Sequence, residues 1–189
     1  MIRKRWKTTM AIILPLAFGV ILSGCSTGRE PAETLTAAAG GMTTIGRPGT
    51  QVGNPAPDFQ LPKIDGATVS LADFRGKPAV IVFWASWCSS CKEEAPRINA
   101  LAAEFVGKGV RVLGINVKDS LAGARVGVKD FGIKYPVARD PDASVARAYG
   151  VRGTPTVIFL DRKGFVRYFG NELPYDYARQ LDGLLAENF

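Results

Sequence analysis

Two cysteines stand three residues apart where an apolar run of β-forming residues gives way to a helical pattern. The run Ala79–Ala85 is continuously apolar, which is typical of a strand buried on both faces of a sheet. Cys88 and Cys91 follow it, and apolar residues then recur at helical spacing to about Val106. Cysteines at positions i and i+3 of a first helical turn can form a disulfide with little backbone movement. The pattern predicts a cysteine pair held between a central strand and a helix.

The position of each cysteine predicts a different reactivity. The sulfur of Cys88 would lie near unpaired N–H groups at the exposed start of the helix, and these favour a thiolate. Its pKa should therefore fall below the ordinary value of about 8.5. Cys91 lies deeper in the turn, where it could resolve a mixed disulfide. Two alternatives stay open: a structural disulfide, which would constrain little over so short a loop, and half of a zinc site, although no second pair exists.

The residue counts exclude several classes of function. The chain has three cysteines and no histidine, which removes Ser-His-Asp sites, Cys-His sites and histidine metal sites. Haem attachment at the cysteine pair would need histidine where Lys92 stands. Four of the 24 basic residues precede Met10, which leaves 20 basic and 17 acidic residues in the rest of the chain. A charge of about +3 gives no argument for nucleic-acid binding. We expect no metal and no cofactor.

The remaining periodicities predict an α/β domain with a central mixed sheet that is flanked by helices. The predicted elements are a hairpin of Phe59–Leu61 and Thr68–Ser70, a helical turn at Leu71–Phe74, strands at Val110–Val117, Thr156–Leu160 and Phe165–Phe169, and helices at Leu121–Phe131, Pro141–Tyr149 and Tyr175–Glu187. Pro174 is expected at the start of the last helix.

The N-terminal segment has the pattern of an export signal. Met1–Lys7 is basic, and the 13 residues Met10–Leu22 are apolar, within the range of a signal-peptide core and short of a membrane span. The run Leu22–Cys25 resembles the bacterial lipoprotein lipobox, which implies that Cys25 is acylated and becomes the mature N-terminus. Residues 1–24 would then be a lipoprotein signal peptide, 25–51 a flexible tether and 52–189 the folded domain. An ordinary secretory signal or a short uncleaved anchor are the alternatives.

Several motifs together resemble the thioredoxin family, in particular its TlpA/ResA-like extracytoplasmic branch. The segment Val82–Lys92, followed by Pro96, is similar to the thioredoxin active-site segment, and Gly153–Thr156 is similar to the cis-proline loop. The branch is indicated by Asn54–Phe59, Leu71–Lys77 and Tyr135–Val137. The resemblance covers about Val52–Glu187. It implies a thioredoxin-like fold with an N-terminal β-hairpin extension.

The resemblance also implies roles for individual residues. Cys88 would be the attacking thiol and Cys91 the resolving thiol of a redox-active disulfide. Pro155 would be cis and would face the sulfurs, and it would leave the backbone of Thr154 free to pair with a substrate strand. Trp87 resembles the indole that shields the site in this family.

One position departs from thioredoxin, where a buried aspartate helps to deprotonate the second cysteine. Val82 stands in its place and cannot accept a proton. Glu94 matches a glutamate of ResA-like members and lies three residues after Cys91, on the same helical face. We therefore expect Glu94 to accept the proton of Cys91, with a pKa raised by partial burial. The alternative is a solvated glutamate like its neighbour Glu93.

These features predict an extracytoplasmic thiol–disulfide oxidoreductase that is anchored by lipid to a bacterial membrane and reduces disulfides in exported proteins. The resemblance implies apocytochrome c as one client and a membrane thiol reductase of the DsbD/CcdA type as the electron donor.

A thiol peroxidase is an alternative, but Ile81 and Trp84 stand where its motif needs proline seven residues before the cysteine. A non-enzymatic binding module or copper carrier is another. The sequence leaves the client, the reduction potential, the choice of membrane and the oligomeric state open.

Overall fold

The apolar run after Pro78 forms the centre of a five-stranded mixed sheet. In the computed structural model, which describes residues 51–187, the elements are β1 Gln60–Pro62, β2 Thr68–Ser70, β3 Ala79–Trp84, α1 Ser89–Phe105, β4 Arg111–Val117, α2 Leu121–Asp130, β5 Val137–Asp140, α3 Ser144–Ala148, β6 Thr156–Leu160, β7 Val166–Gly170 and α4 Tyr177–Ala186. The strand order is β5-β4-β3-β6-β7. β3 runs parallel to β4 and antiparallel to β6, so the predicted mixed sheet is confirmed.

All six residues of β3 are buried, as the continuous apolar run predicts. Val80 and Val82 belong to a core that includes residues of α1 and α4. Ile81 and Phe83 point to the opposite face and belong to a core that includes residues of the hairpin and α3. Packing on each face therefore buries apolar surface, and this burial stabilises the fold by about 25 cal/mol per Å². The two cores hold β3 rigidly up to the residue where the cysteine loop begins.

The predicted N-terminal hairpin is present and joins the edge of the sheet. β1 and β2 are antiparallel, with Leu61 opposite Val69, and a 3-10 turn at Leu71–Phe74 follows. The N–H of Ile64 donates to the carbonyl oxygen of Val137 at 3.1 Å. This hydrogen bond ties the hairpin to β5, which is the edge strand of the sheet.

Three features differ from the predictions. β5 was not predicted, because a four-residue edge strand shows too little periodicity. α3 begins at Ser144 and not at Pro141, because the carboxylate of Asp140 accepts hydrogen bonds from backbone N–H groups at the helix start. α4 begins at Tyr177, and the carbonyl oxygen of Pro174 accepts from the Tyr177 N–H at 3.2 Å. The predicted start at Tyr175, directly after Pro174, was therefore two residues too early.

The predicted signal peptide, Cys25 and the predicted tether up to residue 50 lie outside the described residues. Within residues 51–187, no helix has both the length and the apolar character that crossing a membrane requires.

Candidate active site

Cys88 and Cys91 form a disulfide at the start of α1, with their Cα atoms 5.2 Å apart. Cys88 is the residue that precedes the helix, and its Sγ accepts a hydrogen bond from the backbone N–H of Cys91 at 3.1 Å. The hydroxyl of Ser90 lies 3.4 Å from the same sulfur and can donate to it. Unpaired N–H groups at a helix start favour negative charge. The geometry therefore supplies donors for a thiolate at Cys88, whose lowered pKa stays a prediction.

The two cysteines differ little in exposure. Cys88 is 6% exposed and Cys91 is 4% exposed in the disulfide form. The expectation that Cys88 lies at an exposed position was wrong for this form, because the loop of Thr154 covers its sulfur. In this form the burial of the two residues does not distinguish them, whereas the N–H groups at the helix start lie at Cys88. The neighbouring indole of Trp87 is the exposed group, at 67%.

The peptide bond between Thr154 and Pro155 is cis, which confirms the prediction from the resemblance. The carbonyl oxygen of Thr154 lies 3.3 Å from Cys88 Sγ. The loop reaches this place because β6 follows it directly and pairs Thr156 with Phe83 near the end of β3. Two segments that are 66 residues apart in sequence thus meet at the sulfur.

A cavity of about 10 Å³ lies behind the disulfide and is lined by both Cys91 and Glu94. Val82 and Pro155 also line it. Its volume is about that of one water molecule, which could connect the carboxylate and the sulfur. Val82 provides no proton acceptor, so Glu94 is the one ionisable carboxylate among the residues that line this cavity.

Glu94 is held in place by three hydrogen bonds. Nη1 of Arg97 donates to its two oxygens at 3.0 and 3.2 Å, and the N–H of Leu173 donates to Oε1 at 2.8 Å. Its side chain is only 13% exposed. The alternative of a solvated surface glutamate is therefore wrong, while the proposed role as a base stays a prediction.

The sequence motifs included Tyr135 but gave it no role at the site. Its side chain lines the same cavity as Glu94 and is buried. Burial, together with the nearby charge of Glu94, raises the pKa of Tyr135 above its ordinary value. The phenol therefore stays protonated and uncharged at physiological pH, where it lines the cavity.

A partly buried polar network fixes the loop that leads to Cys88, and no sequence motif indicated it. The Oδ2 atom of Asp119 accepts from the N–H of Ser86 and from Nδ2 of Asn116, both at 2.7 Å. Its Oδ1 atom accepts from the Ser86 hydroxyl at 2.8 Å. Asn116 is fully buried at the end of β4. Because parallel strands end at one edge of a sheet, a polar residue after β4 could have been expected to meet the loop after β3.

Gly127 allows α2 to pack against the same loop. A Cβ atom at this position would lie 2.8 Å from Cβ of Ser86 and 2.8 Å from Cζ3 of Trp84. Such distances are shorter than van der Waals contact, so a larger residue would displace the loop or the indole.

A disulfide in the first turn of a helix, next to a cis-proline loop on a mixed sheet, defines the thiol–disulfide oxidoreductases with a thioredoxin fold. The profile of the AhpC/TSA family matches residues 52–169, and the chain belongs to this family. It is similar to the thiol:disulfide interchange protein DsbE of Pseudomonas fluorescens biotype C, with 42% identity over 87% of this chain and 83% of that protein. The chain has the dithiol–disulfide pair that this activity requires.

Two further proteins agree with this assignment. The thiol-disulfide oxidoreductase ResA of Bacillus thuringiensis subsp. konkukian is 32% identical over 61% of this chain and 67% of its own length. The crystal structure of a secreted Mycobacterium tuberculosis disulfide oxidoreductase, described as homologous to E. coli DsbE, has a TM-score of 0.56 and 28% identity. It is matched over 68% of this chain and 94% of that chain.

Proposed function

We propose that the protein reduces disulfides in exported proteins on the outer side of a bacterial cytoplasmic or outer membrane. The observation that carries this proposal is the position of Thr154, whose carbonyl oxygen lies 3.3 Å from Cys88 Sγ at the cis-proline loop. An extended client segment would pair with the backbone of Thr154 beside the reactive sulfur. The similar Mycobacterium tuberculosis disulfide oxidoreductase is a secreted protein, which supports the location.

The reaction transfers two electrons from the reduced cysteine pair to the client. The thiolate of Cys88 attacks one sulfur of the client disulfide, forms a mixed disulfide and releases the other client sulfur as a thiolate, which takes up a proton. Cys91 then loses its proton and attacks Cys88 Sγ. The second client sulfur leaves as a thiol, and the Cys88–Cys91 disulfide remains. A second dithiol must supply two electrons to restore the reduced pair.

Resolution of the mixed disulfide requires a thiolate at Cys91, which is 4% exposed. Burial in apolar surroundings disfavours that thiolate. A water in the cavity between Cys91 and Glu94 would carry the proton to the carboxylate. Arg97 and the N–H of Leu173 hold the carboxylate in the orientation that this transfer uses.

The proposal also includes a membrane anchor, a client and an electron donor. Acylation of Cys25 would anchor the protein to the membrane, since more than one acyl chain gives a stable anchor. Apocytochrome c is the proposed client, and a membrane thiol reductase of the DsbD/CcdA type is the proposed electron donor. Both follow from the resemblance to ResA-like proteins and are supported by the similarity to relatives named ResA and DsbE.

Trapping of clients tests the proposal. A Cys91→Ser variant should accumulate mixed disulfides at Cys88, which dithiothreitol releases and mass spectrometry identifies. The matched Cys88→Ser variant retains one thiol in the same helical turn and should trap far less. Equal trapping by both variants, or none by either, would contradict the proposal. Rapid turnover of hydrogen peroxide by a protein that traps no client would instead support the thiol peroxidase.

A further inference from the structure

A groove of about 190 Å³ lies beside the disulfide, on the side of Trp87. We call it the basic groove, and the residues that give it its character are Trp87, Lys118, Arg147, Arg152 and Thr154. None of the residues that line it is acidic. Thr154 connects the groove to the reactive sulfur, because its carbonyl oxygen lies 3.3 Å from Cys88 Sγ.

The cations of the basic groove have no acidic partner within residues 51–187. No ion pair formed in that range includes Lys118, Arg147 or Arg152. Arg147 donates to the backbone carbonyl oxygen of Asp142 at 2.6 Å, which leaves its charge uncompensated. All three residues are exposed. Their field therefore extends into solvent at the groove, within the Debye length of about 8 Å at physiological salt.

A neighbouring groove that also includes Thr154 carries the opposite charge. A second groove of about 400 Å³, which we call the acidic groove, includes Glu93, Glu94 and Glu172 and shares Thr154 with the basic groove. Arg97 compensates Glu94, but no ion pair within residues 51–187 includes Glu93 or Glu172. The two grooves that share Thr154 thus differ in the sign of their charge.

We propose that the basic groove selects clients by binding an acidic segment next to the client disulfide. The inference rests on the proposed function and names the chemistry of its substrate. An extended client segment would pair with the backbone of Thr154 and lie over the indole of Trp87, with its carboxylates near Lys118 and Arg152. The acidic groove repels the same segment, so a client with acidic residues on one side of its disulfide binds in one orientation. Charges at the rim of an interface act mainly on the association rate and on the choice of partner.

The test uses peptides that share one intramolecular disulfide and differ in a flanking segment of four glutamates or four lysines. Each flank is made both N-terminal and C-terminal to the disulfide. The reduced wild-type protein is mixed with each peptide, the reaction is quenched with acid, and the rate constant follows from separation of the products. The better glutamate peptide should react about tenfold faster than the matching lysine peptide at low salt, as contacts with a few surface cations allow. The ratio should fall towards one in high salt.

Charge reversal provides the sharper comparison. The double variant Lys118→Glu/Arg152→Glu should reduce the lysine peptide faster than the glutamate peptide. Structural damage would instead slow the reduction of both peptides alike. Lys77→Glu/Arg111→Glu changes the net charge equally at exposed residues near the amino ends of β3 and β4, away from the disulfide. This control should keep the wild-type order.

The outcomes separate the inference from the function on which it rests. If the wild-type protein reduces both peptides at equal rates, or the reversal variant keeps the wild-type order, the basic groove does not select clients and the reductase function stands. If the wild-type protein reduces neither peptide, the reductase function and the inference are both overturned.

Discussion

Nη1 of Arg97 donates to both carboxylate oxygens of Glu94, at 3.0 and 3.2 Å. The same guanidinium donates from Nη2 to the carbonyl oxygen of Leu173 at 2.8 Å, and the N–H of Leu173 returns a hydrogen bond to Glu94. The carboxylate is thus fixed between α1 and the segment before α4 while it lines the cavity of Cys91. As the proposed base, this carboxylate would already be oriented towards the cavity when the Cys91 proton leaves.

Glu94→Gln should slow client reduction while the protein folds and still forms its disulfide. The substitution keeps the size of the side chain and removes the proton acceptor, which typically costs about 10²-fold in a proton-transfer step, less where water substitutes. The measurement is the rate of client reduction as a function of pH, together with the pH profile of Cys91 alkylation. A wild-type rate and an unchanged profile would show that the base lies elsewhere.

Two controls separate loss of the base from loss of the ion pair. Glu93→Gln removes an exposed carboxylate from the same helical turn and should leave the pH profile of Cys91 unchanged. Arg97→Gln removes the partner but keeps the Glu94 carboxylate. This variant should lower the free energy of unfolding, while its rate of client reduction should fall less than that of Glu94→Gln.

The reduced protein should alkylate faster at Cys88 than at Cys91 near neutral pH. The backbone N–H of Cys91 at the start of α1 donates to Cys88 Sγ, and such donors favour a thiolate at Cys88. Iodoacetamide labelling followed by mass spectrometry measures both rates in one sample. Equal or reversed rates would mean that the helix start does not set the reactivity.

Gly127→Ala should lower the free energy of unfolding by about 1–3 kcal/mol, because its Cβ would lie 2.8 Å from both Ser86 and Trp84. Gly183→Ala is the matched control in α4, where a Cβ meets nothing within 4 Å. The control should raise stability by about 0.4–1 kcal/mol through the lower entropy of the unfolded chain. Denaturant unfolding measures both changes. Equal effects at the two positions would contradict the packing argument.

Tyr149→Phe should leave stability at pH 7 unchanged or raise it by up to about 1 kcal/mol. The hydroxyl of Tyr149 is buried and has no hydrogen-bond partner within residues 51–187, so its removal relieves an unsatisfied group. Burial raises the pKa of Tyr149 above its ordinary value of 10.0.

The unfolded chain therefore releases this proton near pH 10 while the folded chain keeps it, so stability falls as pH rises above 10. The variant should lose stability less steeply in that range. Tyr175→Phe, at a side chain that is 91% exposed, should retain the wild-type slope. If the free energy of unfolding falls equally steeply above pH 10 in Tyr149→Phe and wild type, the pKa of Tyr149 is not raised in the folded protein.

Cys25→Ala should abolish lipid labelling and release the protein from membranes. The expectation rests on the run Leu22–Cys25 behind a basic and apolar leader. Metabolic labelling with a fatty acid and fractionation of the cells measure the two effects. Retention of both label and membrane association in the variant would contradict the lipoprotein assignment.

The parts of the fold that carry strong periodicity could be predicted from the sequence. The run Ala79–Ala85 indicated a doubly buried strand, and the cysteine spacing indicated the disulfide, because both depend on local order along the chain. The partners of Asp119 were not predicted, since no motif marks Ser86 and Asn116 and they contact it only when the ends of β3 and β4 meet. The same reason applies to Tyr135 and Leu173, which reach Glu94 through tertiary packing alone.

The antiparallel pairing of β3 with β6 has a consequence for the newly made chain. Cys88 is synthesised 66 residues before Thr154, whose carbonyl oxygen lies against its sulfur. Closing so long a loop is slow compared with forming a helical turn, because its entropy must be lost before distant contacts are gained. During this interval both cysteines are present, but the loop that packs against Cys88 in the folded protein is not yet in place. We therefore expect the cysteines to react least selectively with other disulfides before β6 docks and brings Thr154 against Cys88.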